Sequence, residues 1–178
     1  LSFIPVLLIG ITTYRLYNRF ITDMTEKSSV ETIDLICNDI DSLLNDTWQL
    51  CDALTRDIKI QENLRVKFNS VSSQYSLDLS GSMDMASLST YRKDIFGVYV
   101  LGENGGRYKS NYYSFKPDDP RDSKWYQKIK NSPESIWFSP HEGSFIVRSS
   151  IEDRFISVGL PSSDKATGRI NGVICADI

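Results

Sequence analysis

The sequence predicts an α+β protein, in which one long N-terminal helix is followed by a five-stranded antiparallel sheet with short helices. Residues 11–80 contain neither Gly nor Pro, whereas residues 97–178 hold eight of the ten glycines and five of the six prolines. Gly and Pro interrupt helices and mark turns, so the architecture changes between the two regions. The first region also has helical apolar spacing, and the second consists of short β-rich runs.

The composition is that of a globular chain without a strong electrostatic bias. The 178 residues are 40% hydrophobic and 11% aromatic, and the net charge is -3. This charge offers no basic field for nucleic acid or for an anionic membrane surface. The three cysteines form no CxxC pair and there is a single histidine, so the sequence does not show the four closely arranged N/S ligands of a structural zinc site. We therefore predict no metal and no cofactor.

Catalytic motifs are equally absent from the sequence. The single histidine is not joined to a serine by a G-x-S-x-G motif. The glycine-rich stretch 102–106 follows a β-rich run but does not open a helix, so it predicts a hairpin turn and not a dinucleotide-binding loop. We expect this segment of chain not to be an enzyme.

Residues 1–13 are expected to be the end of a transmembrane helix. The first eleven residues are apolar except for Ser2, which is too short a run to span a bilayer by itself, and Tyr14 and Arg15 follow where an interfacial belt would lie. A signal-peptide core is a second interpretation, although a charged start and a cleavage site are missing. An ordinary buried N-terminal element is a third.

Residues 14–75 are predicted to form a long stalk and dimerisation helix. Its apolar stripe has 3-4 spacing and comprises Ile33, Ile36, Ile40, Leu43, Thr47, Leu50 and Leu54. An unbroken helix from about residue 14 to 70 would be about 85 Å long, so it should project from the domain or pair with a second copy. Part of the stripe is expected to pack on the chain's own domain and part on a second subunit. The cysteines are interpreted as small buried apolar residues.

Residues 76–178 are predicted to form the globular module. Strands are expected near 95–101, 107–110, 135–138, 144–150, 154–160 and 169–178, giving a sheet of about five strands, with a short helix over 122–129. The last three runs are expected to be neighbouring antiparallel strands that are joined by polar turns.

This order of elements resembles the PAS-like extracytoplasmic Cache fold. Residues 119–126, DPRDSKWY, are similar to the ligand-facing D-P-R-x-x-x-W-Y stretch of that family. Residues 137–141, WFSPH, are similar to its strand entry, and residues 172–178, GVICADI, resemble its closing strand. The N-terminal run 3–10 and the stalk resemble the first membrane helix and linker of YesM-type bacterial sensor histidine kinases. The resemblance covers nearly the whole chain.

The resemblance implies the extracellular sensing region of a membrane-bound, two-component sensor histidine kinase. The chain would hold the membrane-distal module of a double-Cache type 1 sensor, located outside the cell membrane and dimeric through its stalk. Its partner would be a small-molecule ligand or a solute-binding protein. The same module on a chemotaxis receptor or a diguanylate cyclase is an alternative, and a membrane-anchored coiled-coil interaction protein is another.

The resemblance also implies ligand-binding residues, of which Trp125, Tyr126 and Asp177 match the family pattern. Asp177 stands in an apolar strand, where a carboxylate needs a polar pocket or a partner. The competing interpretation is a solvated acid at a strand end. For the two rings, one is expected to form a pocket wall and the other to pack in the core.

The chain departs from the amino-acid-binding subgroup at Ser123, where that subgroup has an arginine. The usual clamp on a ligand carboxylate is therefore in doubt, and Arg121 or Arg148 are possible substitutes. For Arg148, surface pairing with a nearby acid is the competing interpretation. His141 is a further candidate contact, although its place beside Pro140 favours a loop histidine.

Overall fold

The structure is a computed structural model that describes residues 3–66, 94–110, 114–115, 119–142, 146–147 and 154–178. The chain divides into two compact units, Leu1–Asn45 and Asp46–Ile178. The first unit is helical throughout its described residues, and the second contains the remaining helices and both sheets.

Helix α1 runs from Phe3 to Arg56, through both the predicted membrane segment and most of the predicted stalk. It is followed by α2, Ile58–Arg65, so the uninterrupted stalk expected from the sequence is wrong at Asp57. Asp57 is extended, with φ -65° and ψ 128°, and its carboxylate accepts a hydrogen bond from Ile60 N at 3.0 Å. The aspartate thus caps a new helix, which the apolar spacing across it did not show. No helix in the described segments combines the length and apolarity needed to cross a bilayer.

The apolar stripe of α1 differs between the two units. Ile33, Ile36 and Ile40, in the first unit, are half or more exposed. Cys37 is exposed too, which corrects the expectation that all three cysteines are buried. In the second unit, Thr47, Cys51 and Leu54 are buried, as are the apolar residues Ile60 and Leu64 of α2.

The main sheet has five antiparallel strands in the order β2-β1-β7-β6-β4, which confirms the predicted fold class. Its strands are β1 Gly97–Gly102, β2 Arg107–Lys109, β4 Ile136–Glu142, β6 Arg154–Ser163 and β7 Ile170–Asp177. Between β2 and β4, a 3₁₀ turn at Pro120–Asp122 leads into α3, Lys124–Lys130. Strand β7 is central and buried over its last six residues, as is usual for a strand covered on both faces.

Strands β6 and β7 pair antiparallel as predicted, but the third strand beside them is not the one expected. The run near 144–150 contributes β5, Ile146–Val147, which pairs with β3, Ser114–Phe115, in a separate two-stranded sheet. Strand β4 takes the expected place beside β6 and extends to Glu142, beyond the predicted end at residue 138. Strand propensity identifies which runs of sequence are extended, but tertiary packing determines which strands pair with each other.

Each face of the main sheet carries its own buried core. One face packs Val98, Val100, Tyr108, Val158, Leu160, Ile174 and Ala176 with Cys51 and Leu54 of α1 and with Ile60 and Leu64 of α2. The other face packs Tyr99, Leu101, Val173 and Cys175 with Tyr126 and Ile129 of α3. A Cβ on Gly159 would lie 2.3 Å from Ile129 Cδ1, so this glycine allows α3 to approach β6 closely. We call the second face the α3 face.

Candidate functional site

Asp177 is the buried acid of the α3 face. It has no exposed surface, so the alternative of a solvated strand-end acid is wrong. Ser157 lies opposite it on β6 and donates its hydroxyl to Asp177 Oδ1 at 2.5 Å, and Tyr99 on β1 donates to the same oxygen at 3.2 Å. These hydroxyls provide the hydrogen bonds that a buried carboxylate needs. The three strands β1, β7 and β6 therefore hold one carboxylate in a defined position.

Tyr99 is a neutral donor to Asp177 in this cluster. Burial, followed by the nearby carboxylate of Asp177, raises the pKa of Tyr99 well above 10. The phenol therefore keeps its hydrogen over the physiological pH range and directs it toward Asp177. Burial also raises the pKa of Cys175, two residues before Asp177, so this thiol remains an apolar member of the same face.

His141 extends the cluster from strand β4, and not from a loop as its position beside Pro140 suggested. Its Nε2 lies 3.4 Å from Ser157 Oγ, and its Nδ1 lies 3.0 Å from the carbonyl oxygen of Ser139, which can only accept. Since the single hydroxyl hydrogen of Ser157 is given to Asp177, the Nε2 contact is a hydrogen bond only when Nε2 carries a hydrogen, and a neutral ring then has none on Nδ1 for Ser139. His141 therefore lies next to the hydroxyl of Ser157, which donates to the carboxylate of Asp177.

Trp125 and Tyr126 occupy different environments, as the sequence suggested for this pair. Tyr126 has no exposed surface and packs in the core of the α3 face, where its hydroxyl donates to Glu103 Oε1 at 2.7 Å. Trp125 is partly exposed and packs at the edge of the same core, with its ring 6.1 Å from that of Tyr126. Trp125 is thus the ring that remains accessible from outside the core.

Arg121 is held away from Asp177, at the other end of β1. Its guanidinium makes a salt bridge with Asp119 and donates to the carbonyl oxygen of Glu103 at 3.1 Å. Gly97 is the register partner of Asp177, and Glu103 lies six residues further along the chain. Six residues of a strand span about 20 Å. The cavity that Arg121 helps to line has a volume of about 10 Å³, enough for one water molecule at most.

The six candidate residues therefore do not form one cluster. Asp177 and His141 lie together, Tyr126 and Arg121 lie near Glu103, and Trp125 lies at the rim of the core. Arg148 is outside the described residues.

Sequence reasoning missed three residues that organise these clusters, namely Tyr99, Ser157 and Glu103. Side chains alternate between the two faces of a strand, so Tyr99 and Leu101 in the run 95–101 lie on the same face. This alternation was the only signal in the sequence that pointed to Tyr99. The pairing of Ser157 with Asp177 depends on the register between β6 and β7, and Glu103 stands in a turn that the sequence marked only by its glycines.

A second concave region lies on the opposite side of the main sheet. It is an open cleft of about 410 Å³, bounded by Trp48, Asp52 and Thr55 of α1, by residues 133–135 after α3, and by Leu160 and Pro161 of β6. None of the five candidate residues that the structure describes lines it.

No protein-family model matches the chain, and neither does any curated protein sequence. Among solved structures, the ligand-binding domain of the Campylobacter jejuni chemoreceptor Tlp3 in complex with L-valine is similar, with TM-score 0.54 and 15% identity over 78% of this chain and 53% of that one.

Two Pseudomonas structures are similar to the same degree. The ligand-binding domain of the P. aeruginosa PAO1 amino acid chemoreceptor PctC in complex with GABA has TM-score 0.52 and 16% identity, over 78% of this chain and 56% of that one. The corresponding domain of the P. fluorescens chemoreceptor CtaA in complex with L-isoleucine has TM-score 0.52 and 15% identity, over 79% and 50%. The chain thus spans about half the length of these domains. It has the α+β, PAS-like Cache fold that the sequence predicted, and it shares this fold with the three chemoreceptor domains named above.

Proposed function

We propose that this chain is the extracytoplasmic ligand-sensing region of a bacterial membrane receptor, which binds a small molecule on the α3 face beside Asp177. The observation that supports this most directly is a fully buried carboxylate, held by hydroxyl groups from two neighbouring strands. A buried carboxyl group is costly to remove from water, so its presence among the buried apolar residues at the end of β7 favours a functional role.

The ligand that suits this position carries an ammonium group. A carboxylate oriented by Tyr99 and Ser157 is a pre-formed acceptor for a cationic group, and a charge-assisted hydrogen bond is about twice as strong as a neutral one. The proteins of similar fold were solved with L-valine, L-isoleucine and GABA, each of which has such a group. An amino acid or a related amine is therefore the proposed ligand class.

Binding at Asp177 requires movement, which suits a sensor. Because Asp177 has no exposed surface, a ligand reaches its carboxylate only when the side chains over it are displaced. A ligand that binds the displaced arrangement more tightly shifts the population toward it, and this is how a binding site becomes a switch. We propose that the shift passes to α1, whose last turns belong to the same compact unit.

The output of the receptor is proposed as a sensor histidine kinase, and the chemoreceptor alternative has equal support. The resemblance of the stalk favours the kinase, whereas the solved structures of similar fold are chemoreceptor domains. A diguanylate cyclase is a third output that carries such modules. The coding sequence after Ile178 decides among them, since a kinase core, a chemoreceptor signalling domain and a cyclase domain are readily distinguished.

The ligand site can be tested by thermal unfolding of the 178-residue chain in the presence of amino acids, amines, organic acids and sugars. A ligand at one hundred times its Kd stabilises the native state by about 2.7 kcal/mol. For a protein of this size that corresponds to an increase in Tm of about 5–10 °C. We expect at least one compound with an ammonium group to produce such a shift.

Matched variants connect the shift to the proposed site. Asp177→Asn keeps the shape but removes the charge, and it should abolish the stabilisation, while Trp125→Ala should reduce it. Glu62→Gln removes an exposed carboxylate from α2 and should leave the stabilisation unchanged. A screen in which no compound stabilises the chain, or in which Asp177→Asn responds like the unmodified chain, would contradict the proposed function.

A further inference from the structure

The turn between β1 and β2 contacts helices on both faces of the main sheet. The turn comprises residues 103–106 and is closed by hydrogen bonds between Gly102 and Gly106 and between Gly105 and Gly102. Gly105 has φ 91°, a conformation that favours glycine, so the turn has a specific shape. Two consecutive residues of this turn, Glu103 and Asn104, face opposite helices.

Glu103 holds α3. Its carboxylate accepts hydrogen bonds from the Tyr126 hydroxyl at 2.7 Å and from Lys130 Nζ at 2.6 Å, on successive turns of that helix. Partial burial acts to raise the pKa of Glu103, but the hydrogen bonds from Lys130 and Tyr126 outweigh it, so the net pKa is below the usual value. The carboxylate is thus ionised at neutral pH and forms charge-assisted contacts, the stronger class of hydrogen bond.

Asn104 holds α2, on the other face. Its Nδ2 donates to the carbonyl oxygens of Asn63 at 3.0 Å and of the C-cap residue Val66 at 2.8 Å, both at the C-terminal end of that helix. Its Oδ1 accepts from Gly106 N at 2.9 Å, so the same side chain also maintains the turn.

A second connection starts from the backbone of Glu103 and ends at α1. Glu103 N donates to the carbonyl oxygen of Asn171 at 2.9 Å, and Asn171 Nδ2 donates to Gln61 Oε1 at 2.9 Å. Gln61 is buried, and its Nε2 donates to the carbonyl oxygen of Thr55, in the last turn of α1, at 2.7 Å. Because Gln61 Nε2 must face an acceptor at Thr55, the orientation of its amide is determined.

We infer that the β1–β2 turn is a coupling element, in which Glu103 and Asn104 act as positioning residues that transmit a displacement of α3 to α2 and the end of α1. The inference rests on the proposed function only in that ligand binding would supply the displacement of α3. The contacts that carry it are all made within the chain itself. A packed turn of this kind moves as a unit, because its side chains are engaged on both faces.

The coupling can be measured by amide hydrogen exchange on the ligand-free 178-residue chain. Tyr126→Phe combined with Lys130→Met removes both donors to Glu103 and touches nothing on α2. We expect the exchange of amides in residues 58–66 to accelerate about threefold to tenfold, since partly exposed charged hydrogen bonds are lost. Lys128→Met, on the same helix, is the matched control and should leave this exchange unchanged.

A second variant tests whether the effect passes through the turn. Asn104→Asp keeps the acceptor for Gly106 N but lacks the Nδ2 donor to α2. In this background, the α3 substitutions should change the exchange of residues 58–66 by less than twofold, the non-additivity expected of groups that act in series. Fully additive effects of the α3 and Asn104 substitutions on amide exchange would contradict the inference. Faster exchange in α3 alone would contradict it too. So would an equal acceleration in α2 and in the central strand β7, because that reports global unfolding.

The hydrogen-exchange experiment tests the coupling independently of whether a ligand binds beside Asp177. Coupling in the ligand-free chain supports the inference even if no ligand is found. A compound that stabilises the chain through Asp177, yet leaves the exchange of residues 58–66 unchanged, would overturn the inference and leave the proposed function intact.

Discussion

Asp177 shows how one buried residue constrains its surroundings. A carboxylate without exposed surface must be surrounded by donors, and Tyr99 and Ser157 provide hydroxyl groups from the adjacent strands. Both donors lie on the α3 face. The need of Asp177 for hydrogen bonds therefore accounts for a polar residue at one position of β1 and at one position of β6.

Removing the Tyr99 hydroxyl should destabilise the chain. Tyr99→Phe keeps the ring in the core and deletes one donor to a buried charge, which we expect to cost about 1–3 kcal/mol of unfolding free energy. Urea denaturation measures this cost, with Tyr17→Phe on the exposed part of α1 as the control. Equal stabilities of the two variants would mean that the hydrogen bond to Asp177 contributes nothing.

Acid should weaken the ion pair that fixes Arg121. The hydrogen bond from the Arg121 side chain is the main cause that lowers the pKa of Asp119 to about 2. The unfolded value is about 3.9, so the folded state binds the proton less well. The stabilisation is fully present above about pH 4 and is lost as the pH falls toward 2.

We expect Asp119→Asn to be less stable than the unmodified chain at pH 5, and the difference to shrink as the pH approaches 2. Urea midpoints measured across this range test the expectation, with Asp122→Asn, an exposed neighbour, as the control for losing one carboxylate. A difference that grows on acidification would contradict the assigned sign.

At the scale of elements, Asp57 decides where the first helix ends. The residue is extended and caps α2, while the apolar spacing continues across it. Short polar side chains favour such positions because they replace a missing backbone acceptor. The change of helix thus depends on one capping side chain, and Gln61 joins the two helices by its hydrogen bond to the Thr55 carbonyl oxygen.

Loss of the cap should therefore be measurable. Asp57→Ala removes the acceptor for Ile60 N and should lower the unfolding free energy by about 1 kcal/mol. Asp57→Ser retains a capping oxygen and should recover most of that loss. If the serine variant is no more stable than the alanine variant, the capping contact is not what stabilises this junction.

At the scale of the whole molecule, the exposed stripe of α1 favours self-association, which we propose as part of the receptor architecture. Ile33, Ile36 and Ile40 are each at least half exposed in the single chain and have the spacing of a helix-pairing seam. Burying such a stripe against a second copy would remove apolar surface from water, with a gain of about 25 cal/mol per Å².

Charge placed in this stripe should weaken association. The double variant Ile36→Glu and Ile40→Glu introduces two like charges per chain into the proposed seam, and it should raise the dimer dissociation constant by more than about tenfold in sedimentation equilibrium. Asn38→Glu adds a charge on another face of the helix and should have little effect. A monomeric unmodified chain would contradict the proposed seam.

The sequence determined the class of fold and the order of its elements, because breakers, periodicity and turn residues are local signals. It also identified Asp177 as unusual, since a carboxylate in an apolar strand needs an explanation wherever that strand lies. The tertiary structure decided which strands are neighbours, that β4 and not the run near residue 146 pairs with β6, and that Asp177 meets Ser157 and Tyr99 while Arg121 stays with Asp119. These outcomes depend on strand register and on contacts between residues as many as 78 positions apart, about which local propensity carries no information.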